Sequence, residues 1–257
     1  MDTLNESDVH IWCRCTSTLD DEAVKTSEQY LSIEEQARRD RLRLEADRRD
    51  FTFAHDLLRR ILSNFADLPP GDWRFSVNDY GKPSIDSIEP RLRALSFNLS
   101  HTRGCVACAI ALNGPLGVDV ERIEQSQRLQ GIADQYFSEE EAVWLGECSN
   151  ELRNVRIIEL WTLKEAYLKA IGVGLFGSPA DISFWFDEHA QIEFMGPPAN
   201  DPHEWHFALS EPFHDIRLGI AIRGVARPRL FLSQYESDER TLPPIRGSAK
   251  MIFSKQT

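Results

Sequence analysis

The sequence predicts an α+β protein, helices combined with runs of antiparallel strands, and three observations carry the prediction. Residues 94–100, 105–112 and 116–122 are strand-like runs in close succession, separated by His-Thr-Arg-Gly and Asn-Gly-Pro, linkers of hairpin length. Before them, residues 45–65 set Phe51, Ala54, Leu58, Ile61, Leu62 and Phe65 at helical spacing. After them, two helical stretches give way to a last third of short strand-like runs.

Taken in order, residues 9–16 (Val-His-Ile-Trp-Cys-Arg-Cys-Thr) alternate with period two and read as a strand. Ser32 and Glu35 form a capping box that opens a helix toward Leu42. The long helix over 45–65 follows, ended by Pro69-Pro70-Gly71. A strand at 73–77 leads into the turn Asn78-Asp79-Tyr80-Gly81 and the loop Gly81-Lys82-Pro83. Beyond the three central strands, helices are expected around 138–145 and 155–171, the second closed by Gly172 and Gly174. Strands are expected at 182–186, 192–194, 205–209 and 218–222. From Glu236 onward Pro, Ser and charge dominate, so residues 236–257 read as a poorly anchored tail.

At 257 residues, 42% apolar and 27% charged, the chain has an ordinary soluble composition. A net charge of −12 disfavours non-specific nucleic-acid binding. No run approaches the length of a membrane span, and the first 20 residues lack a signal peptide's basic start and apolar core; a cytoplasmic protein is expected. Five cysteines in no regular framework read as reduced thiols, Cys105 and Cys108 diverging on a strand. His10, His55, His189, His203, His206 and His214 make no metal-ligand spacing on any one element.

Two motifs carry chemistry. In Gly117-Val118-Asp119-Val120-Glu121 the valines alternate with the acids, so both carboxylates project from one strand face. In Trp161-Thr-Leu-Lys-Glu-Ala-Tyr-Leu-Lys-Ala170 helical spacing puts Trp161, Glu165, Leu168 and Lys169 on one face. Asp119, Glu121 and Glu165 would make a hard oxygen site suited to Mg²⁺, which uses a few carboxylates together with substrate phosphates. Either motif alone is more often solvated charge.

Together, GVDVE and W-x-x-KEA-x-x-K resemble the paired signature of the 4′-phosphopantetheinyl transferases, in the larger single-chain (Sfp-type) branch. Gly81-Lys82-Pro83, Phe97-Asn98-Leu99-Ser100-His101 and Phe137-Ser138-Glu139-Glu140-Glu141 are similar to three further segments of that family, in its order. The resemblance covers roughly residues 30 to 180. It implies two similar subdomains in a pseudo-two-fold arrangement, 1–113 and 114–235, with the active site in the cleft between them and the tail from 236. It also implies the reaction: transfer of 4′-phosphopantetheine from coenzyme A to a serine of an apo acyl or peptidyl carrier protein, releasing 3′,5′-ADP. Mg²⁺ (or Mn²⁺) is the implied metal, and a cytoplasmic monomer the implied form.

Residue by residue, the resemblance places Mg²⁺ on Asp119, Glu121 and Glu165, with Lys169 steadying the transferring phosphate. Lys82, Ser100 and His101 would contact the nucleotide end of coenzyme A, as would one arginine of the basic stretch 38–60, Arg49 or else Arg48. Lys164 is divided between pyrophosphate contact and surface charge. For the base that takes the serine proton, Glu165, Glu141 and a metal-bound water remain open. A carrier could dock on the arginine-bearing helices or on the apolar stretch 171–176. The W-KEA form resembles the branch serving polyketide and non-ribosomal peptide assembly. Two other readings use the same residues: a Mg²⁺-dependent pyrophosphate hydrolase, and a silent coenzyme A or carrier-binding module.

Overall fold

The computed structural model describes residues 4–174, 177–186, 191–197, 201–225, 227–235 and 251–253. The chain runs through β1 (Asp8–Cys15), α1 (Asp21–Glu28), α2 (Ile33–Asp40), α3 (Glu45–Phe65), β2 (Phe75–Val77), β3 (Pro83–Ile85), α4 (Pro90–Arg93), β4 (Leu95–Thr102) and β5 (Cys105–Leu112). It continues with β6 (Leu116–Arg122), α5 (Ser126–Gln130), α6 (Ala133–Tyr136), α7 (Glu139–Glu147) and α8 (Asn150–Ile171). Six strands follow: β7 (Ser183–Phe186), β8 (Ile192–Met195), β9 (Trp205–Ser210), β10 (Ile216–Arg223), β11 (Arg229–Tyr235) and β12 (Met251–Phe253). The α+β class is what the sequence predicts.

The chain divides into two compact units: residues 4–77, Pro83–Asn113 and β11 in the first, Asn78–Lys82, Gly114–Pro228 and β12 in the second. In the first, the sheet order is β11-β1-β5-β4, with β5 antiparallel to both β1 and β4 and β11 parallel to β1. Its core joins Phe53, Leu57 and Ile61 of α3 to Trp12 on β1 and to Val106, Cys108 and Ile110 on β5. In the second, the order is β12-β9-β10-β6, all antiparallel. Its core joins Leu163 and Tyr167 of α8 to Phe184, Trp205 and Phe207.

The two units repeat one topology. In each, a strand leads through helices to two further strands, the last of which lies between the other two: β1-β5-β4 and β6-β10-β9. The fourth strand breaks the likeness, since it joins beside β1 in one sheet and beside β9 in the other.

Several expectations are corrected. Residues 229–235 belong to the first unit, because β11 pairs with β1 from Asp8↔Arg229 to Arg14↔Tyr235. The segment 251–253, expected within a loose tail, pairs with β9 as an edge strand. Residues 78–82 fall in the second unit for a reason that concerns the site. All five cysteines are unbridged.

The capping box at Ser32 does more than start α2. Its Glu35 also accepts from Arg59 Nη2 at 2.8 Å and meets His55 Nδ1 at 2.9 Å, so a buried carboxylate ties α2 to α3. Burial pushes Glu35 up, but the His55 contact, the Ser32 N–H and the Arg59 guanidinium overcome this and hold it at about 2. A carboxyl depressed below the ordinary 4.5 stabilises the fold above that pH and loses the contribution as pH falls through about 2. Glu35→Gln is expected to cost about 3 kcal/mol in urea denaturation at pH 7. The gap to wild type should close between pH 4.5 and 2.

Candidate active site

The second unit positions the acidic motif by letting a helix touch a strand. A Cβ on Gly117 of β6 would strike Ala166 O and approach Ala170 N to 2.7 Å. One on Gly219 of β10 would lie 2.6 Å from Thr162 O. Glycine at both places lets the α8 backbone lie directly on the sheet. Gly117, Asp119 and Glu121 share a strand face, so the same approach presents both acids to α8. Val118 and Val120 are buried on the opposite face.

Asp119 is buried, and one of its oxygens accepts from Lys169 Nζ at 2.6 Å. The same ammonium donates to Val118 O at 3.3 Å. Glu165, one turn earlier on α8, is pushed up to about 7 by burial and by the adjacent Asp119 carboxylate, against the pull of Lys169. Glu121 turns one oxygen to its neighbour's backbone N–H, Arg122 N at 2.8 Å. Arg217 stands opposite it across the ladder and reaches Glu159 of α8 at 3.4 Å. Among the described residues no three His, Cys, Asp or Glu side chains close on one point as a metal cage. The expected cluster is thus a carboxylate pair with a lysine cation in its field and Glu121 two residues along. The donor set fits a hard divalent ion: Asp119 and Glu165 repel one another, and the lysine already occupies the place of a counter-charge.

Two expected site residues have other work. Lys164 is fully buried, and its three donors go to Glu141 Oε2 at 2.6 Å, Pro179 O at 2.8 Å and Ile182 O at 2.6 Å. Glu141 is equally enclosed: it caps α7 through Ser138 N at 2.9 Å and accepts from Phe184 N at 2.8 Å. Burial drives Glu141 up and Lys164 down, and their mutual attraction opposes both shifts. Neither has a group left for substrate, so Lys164 as a pyrophosphate contact and Glu141 as a base are both set aside. They pin α7, α8 and β7 together.

Lys82 also differs from expectation. Its Nζ donates to Leu116 O at 3.1 Å and Ala170 O at 2.8 Å, and burial pushes its pKa down to about 8. Asn78, which the sequence suggested only as a turn residue, donates to Gly172 O at 3.0 Å beyond the end of α8. An Asn ahead of Gly at a turn is the available signal, but nothing in it tells which helix end is capped.

In the first unit, Ser100 and His101 both lie on β4, buried and exposed respectively; His101 is in the strand rather than after it. As strand neighbours they face opposite ways, so the structure does not bring them together on one face. The β4–β5 turn is held by Asp50 of α3, which accepts from Gly104 N at 3.0 Å and from Thr16 Oγ1. Arg49, beside Asp50, makes a loose ion pair with Asp21 at 3.9 Å, and its Nε finds no hydrogen-bond partner among the described residues. Arg48 is engaged locally, with Glu45 and Leu42 O, both at 3.1 Å. Of the two, Arg49 is the freer for an anion. The apolar stretch considered for partner docking runs into Leu175 and Phe176, which lie outside the described residues, as does His189.

The profile described as "ACPS: 4′-phosphopantetheinyl transferase superfamily" matches residues 115–221, the span holding both acidic motifs. The chain belongs to the 4′-phosphopantetheinyl transferase superfamily, a placement that longer alignments support. It is 32% identical to the 4′-phosphopantetheinyl transferase gsp of Aneurinibacillus migulanus, over 72% of this chain and 68% of that one. It is 31% identical to HetI of Nostoc sp., over 67% and 72%. With Sfp of Bacillus subtilis it shares 30% identity over 57% and 62%. Within the superfamily these relatives place it in the larger, single-chain Sfp-type branch.

Proposed function

We propose that this chain transfers 4′-phosphopantetheine from coenzyme A to a serine hydroxyl of an apo acyl or peptidyl carrier protein, with Mg²⁺, releasing 3′,5′-ADP. The observation that carries the reading is the coupled Asp119–Glu165 pair with Lys169 between sheet and helix, in a member of this superfamily. Asp119, Glu121 and Glu165 would hold Mg²⁺, which supplies charge neutralisation at the pyrophosphate. Lys169 adds a cation for the charge that grows on the phosphate oxygens as the bond to 3′,5′-ADP breaks. The serine oxygen forms the new P–O bond, and its proton passes to a carboxylate of the site, Glu165. Arg49 and His101 are the residues we assign to coenzyme A's nucleotide phosphates.

Balanced product analysis tests this. Wild-type protein with coenzyme A and an apo carrier should yield 3′,5′-ADP one for one with holo carrier, and none when the carrier serine is replaced by alanine. Release of 3′,5′-ADP without carrier would instead establish a hydrolase. Peptidyl, polyketide-type and fatty-acid carriers in parallel identify the pathway, with the first two expected to be modified fastest.

Glu165 also sets a pH dependence. Its proton must leave before its oxygens bind a cation, so Mg²⁺ affinity measured by calorimetry should weaken below pH 7 by up to about tenfold per unit. Without metal the sign on stability opposes that of Glu35. A carboxyl raised from 4.5 to about 7 keeps its proton in the fold after the unfolded chain has lost it, so stability declines as pH rises through that window. Glu165→Gln should therefore be more stable than metal-free wild type at pH 8 and lose that advantage near pH 4.5.

A further inference from the structure

We propose that Lys82 is a positioning residue, tying the start of the strand that bears Asp119 and Glu121 to the end of the helix that bears Glu165 and Lys169. The proposal rests on the carboxylate reading above and deepens it. The two carbonyls that receive the ammonium, at 3.1 and 2.8 Å, belong to Leu116 and Ala170. Leu116 precedes Gly117, and Ala170 follows Lys169, so the tie is one residue from Gly117 on the strand and one from Lys169 on the helix.

Its chemistry is that of a helix end. Ala170 O is among the last four carbonyls of α8, which have no N–H partner within the helix, and a cation there is favoured by the helix dipole. The turn is shaped to deliver it. Asn78 Oδ1 accepts from Lys82 N at 2.8 Å and Tyr80 N at 3.0 Å, Asn78 N donates to Lys82 O at 3.0 Å, and Gly81 takes φ +86°. Gly172, at φ +80°, is closely packed by the turn: a Cβ there would lie 3.1 Å from Asn78 Nδ2 and 3.2 Å from Lys82 Cδ, so those side chains would have to give way. The Gly117 contact sets how near α8 can come to β6, and Lys82 holds it at that limit. A lysine placed for the nucleotide would turn its ammonium outward; this one is turned inward, to main-chain oxygens.

The test compares wild type with Lys82→Met, which keeps the aliphatic stem and removes the donors. A positioning role predicts kcat lower by about 10²-fold and a Mg²⁺ requirement raised about tenfold. Coenzyme A affinity, titrated calorimetrically without metal, should stay unchanged, and amides of residues 116–119 and 168–172 should exchange hydrogen faster. Coenzyme A affinity down about tenfold, with exchange and Mg²⁺ requirement unchanged, would overturn the proposal in favour of a nucleotide contact. Should Lys82→Met fail to fold, Asn78→Ala is the second variant: it must shift exchange and Mg²⁺ requirement in the same directions, and no shift in either would overturn the proposal. If wild type modifies no carrier, the transferase reading fails, while the exchange pattern still judges the tie.

Discussion

Asp119→Ala is expected to remove carrier modification almost entirely, by 10²-fold or more at saturating coenzyme A, on the order of 3 kcal/mol of transition-state stabilisation. Asp119 is the group through which the others are organised: it holds Lys169 at 2.6 Å and raises Glu165. Without it, Glu165 keeps the burial that chiefly raises it but loses the neighbouring charge that adds to the shift, so its pKa falls part of the way back. The hard-oxygen pair becomes a single acid, and Lys169 keeps Val118 O but loses its carboxylate. Two effects on the fold oppose one another: the repulsion with Glu165 is relieved, and the ion pair with Lys169 is lost. Circular dichroism and thermal midpoint should stay near wild type, and excess Mg²⁺ should recover only part of the rate. An Asp119→Ala protein with wild-type turnover at limiting Mg²⁺ would contradict the metal assignment.

The second large effect is on stability. Lys164→Met is expected to destabilise by about 3–5 kcal/mol, because it leaves Glu141 buried and uncompensated. That is a large share of the 5–15 kcal/mol that typical domains have in total, so the variant should accumulate poorly at 37 °C. Glu141→Gln should cost a similar amount by stranding the ammonium, although its amide oxygen can still take one of the two backbone N–H groups, Ser138 or Phe184. The double variant should cost less than the sum of the singles, since neither charge is then left alone. Urea denaturation of all four proteins completes the cycle. Strict additivity would mean that the pair does not couple α7 to α8. The partly folded singles, at low temperature, should retain turnover per folded molecule, which separates this pin from the chemistry beside it.

Much of the fold was legible because its pattern is local. The long helix has the predicted bounds, Glu45–Phe65, and β5 and β6 match residue for residue, since periodicity and turn chemistry fix them. The strands β11 and β12 escaped notice for the opposite reason. One is defined by parallel pairing with β1 more than 200 residues away, and the other spans only three residues, too few for a period. The site shows the same division. Asp119, Glu121, Glu165 and Lys169 follow from which face a strand or helix presents. The sequence could place Lys164 and Glu165 on different sides of α8, but not say that one side is core. It was equally silent on Glu141 as the partner of Lys164 and on the inward turn of Lys82, because tertiary packing decides where a charged group finds its counter-charge.

The proposed function stands or falls on a metal-dependent transfer at the Asp119–Glu165 pair. It is tested most directly by intact mass of a purified apo peptidyl carrier after incubation with wild-type protein and coenzyme A, in EDTA and then with Mg²⁺ restored. No change is expected in EDTA, and one phosphopantetheine per carrier should be gained on adding Mg²⁺, with Asp119→Asn silent in both. An equal gain with and without EDTA, or with Asp119→Asn, would contradict it.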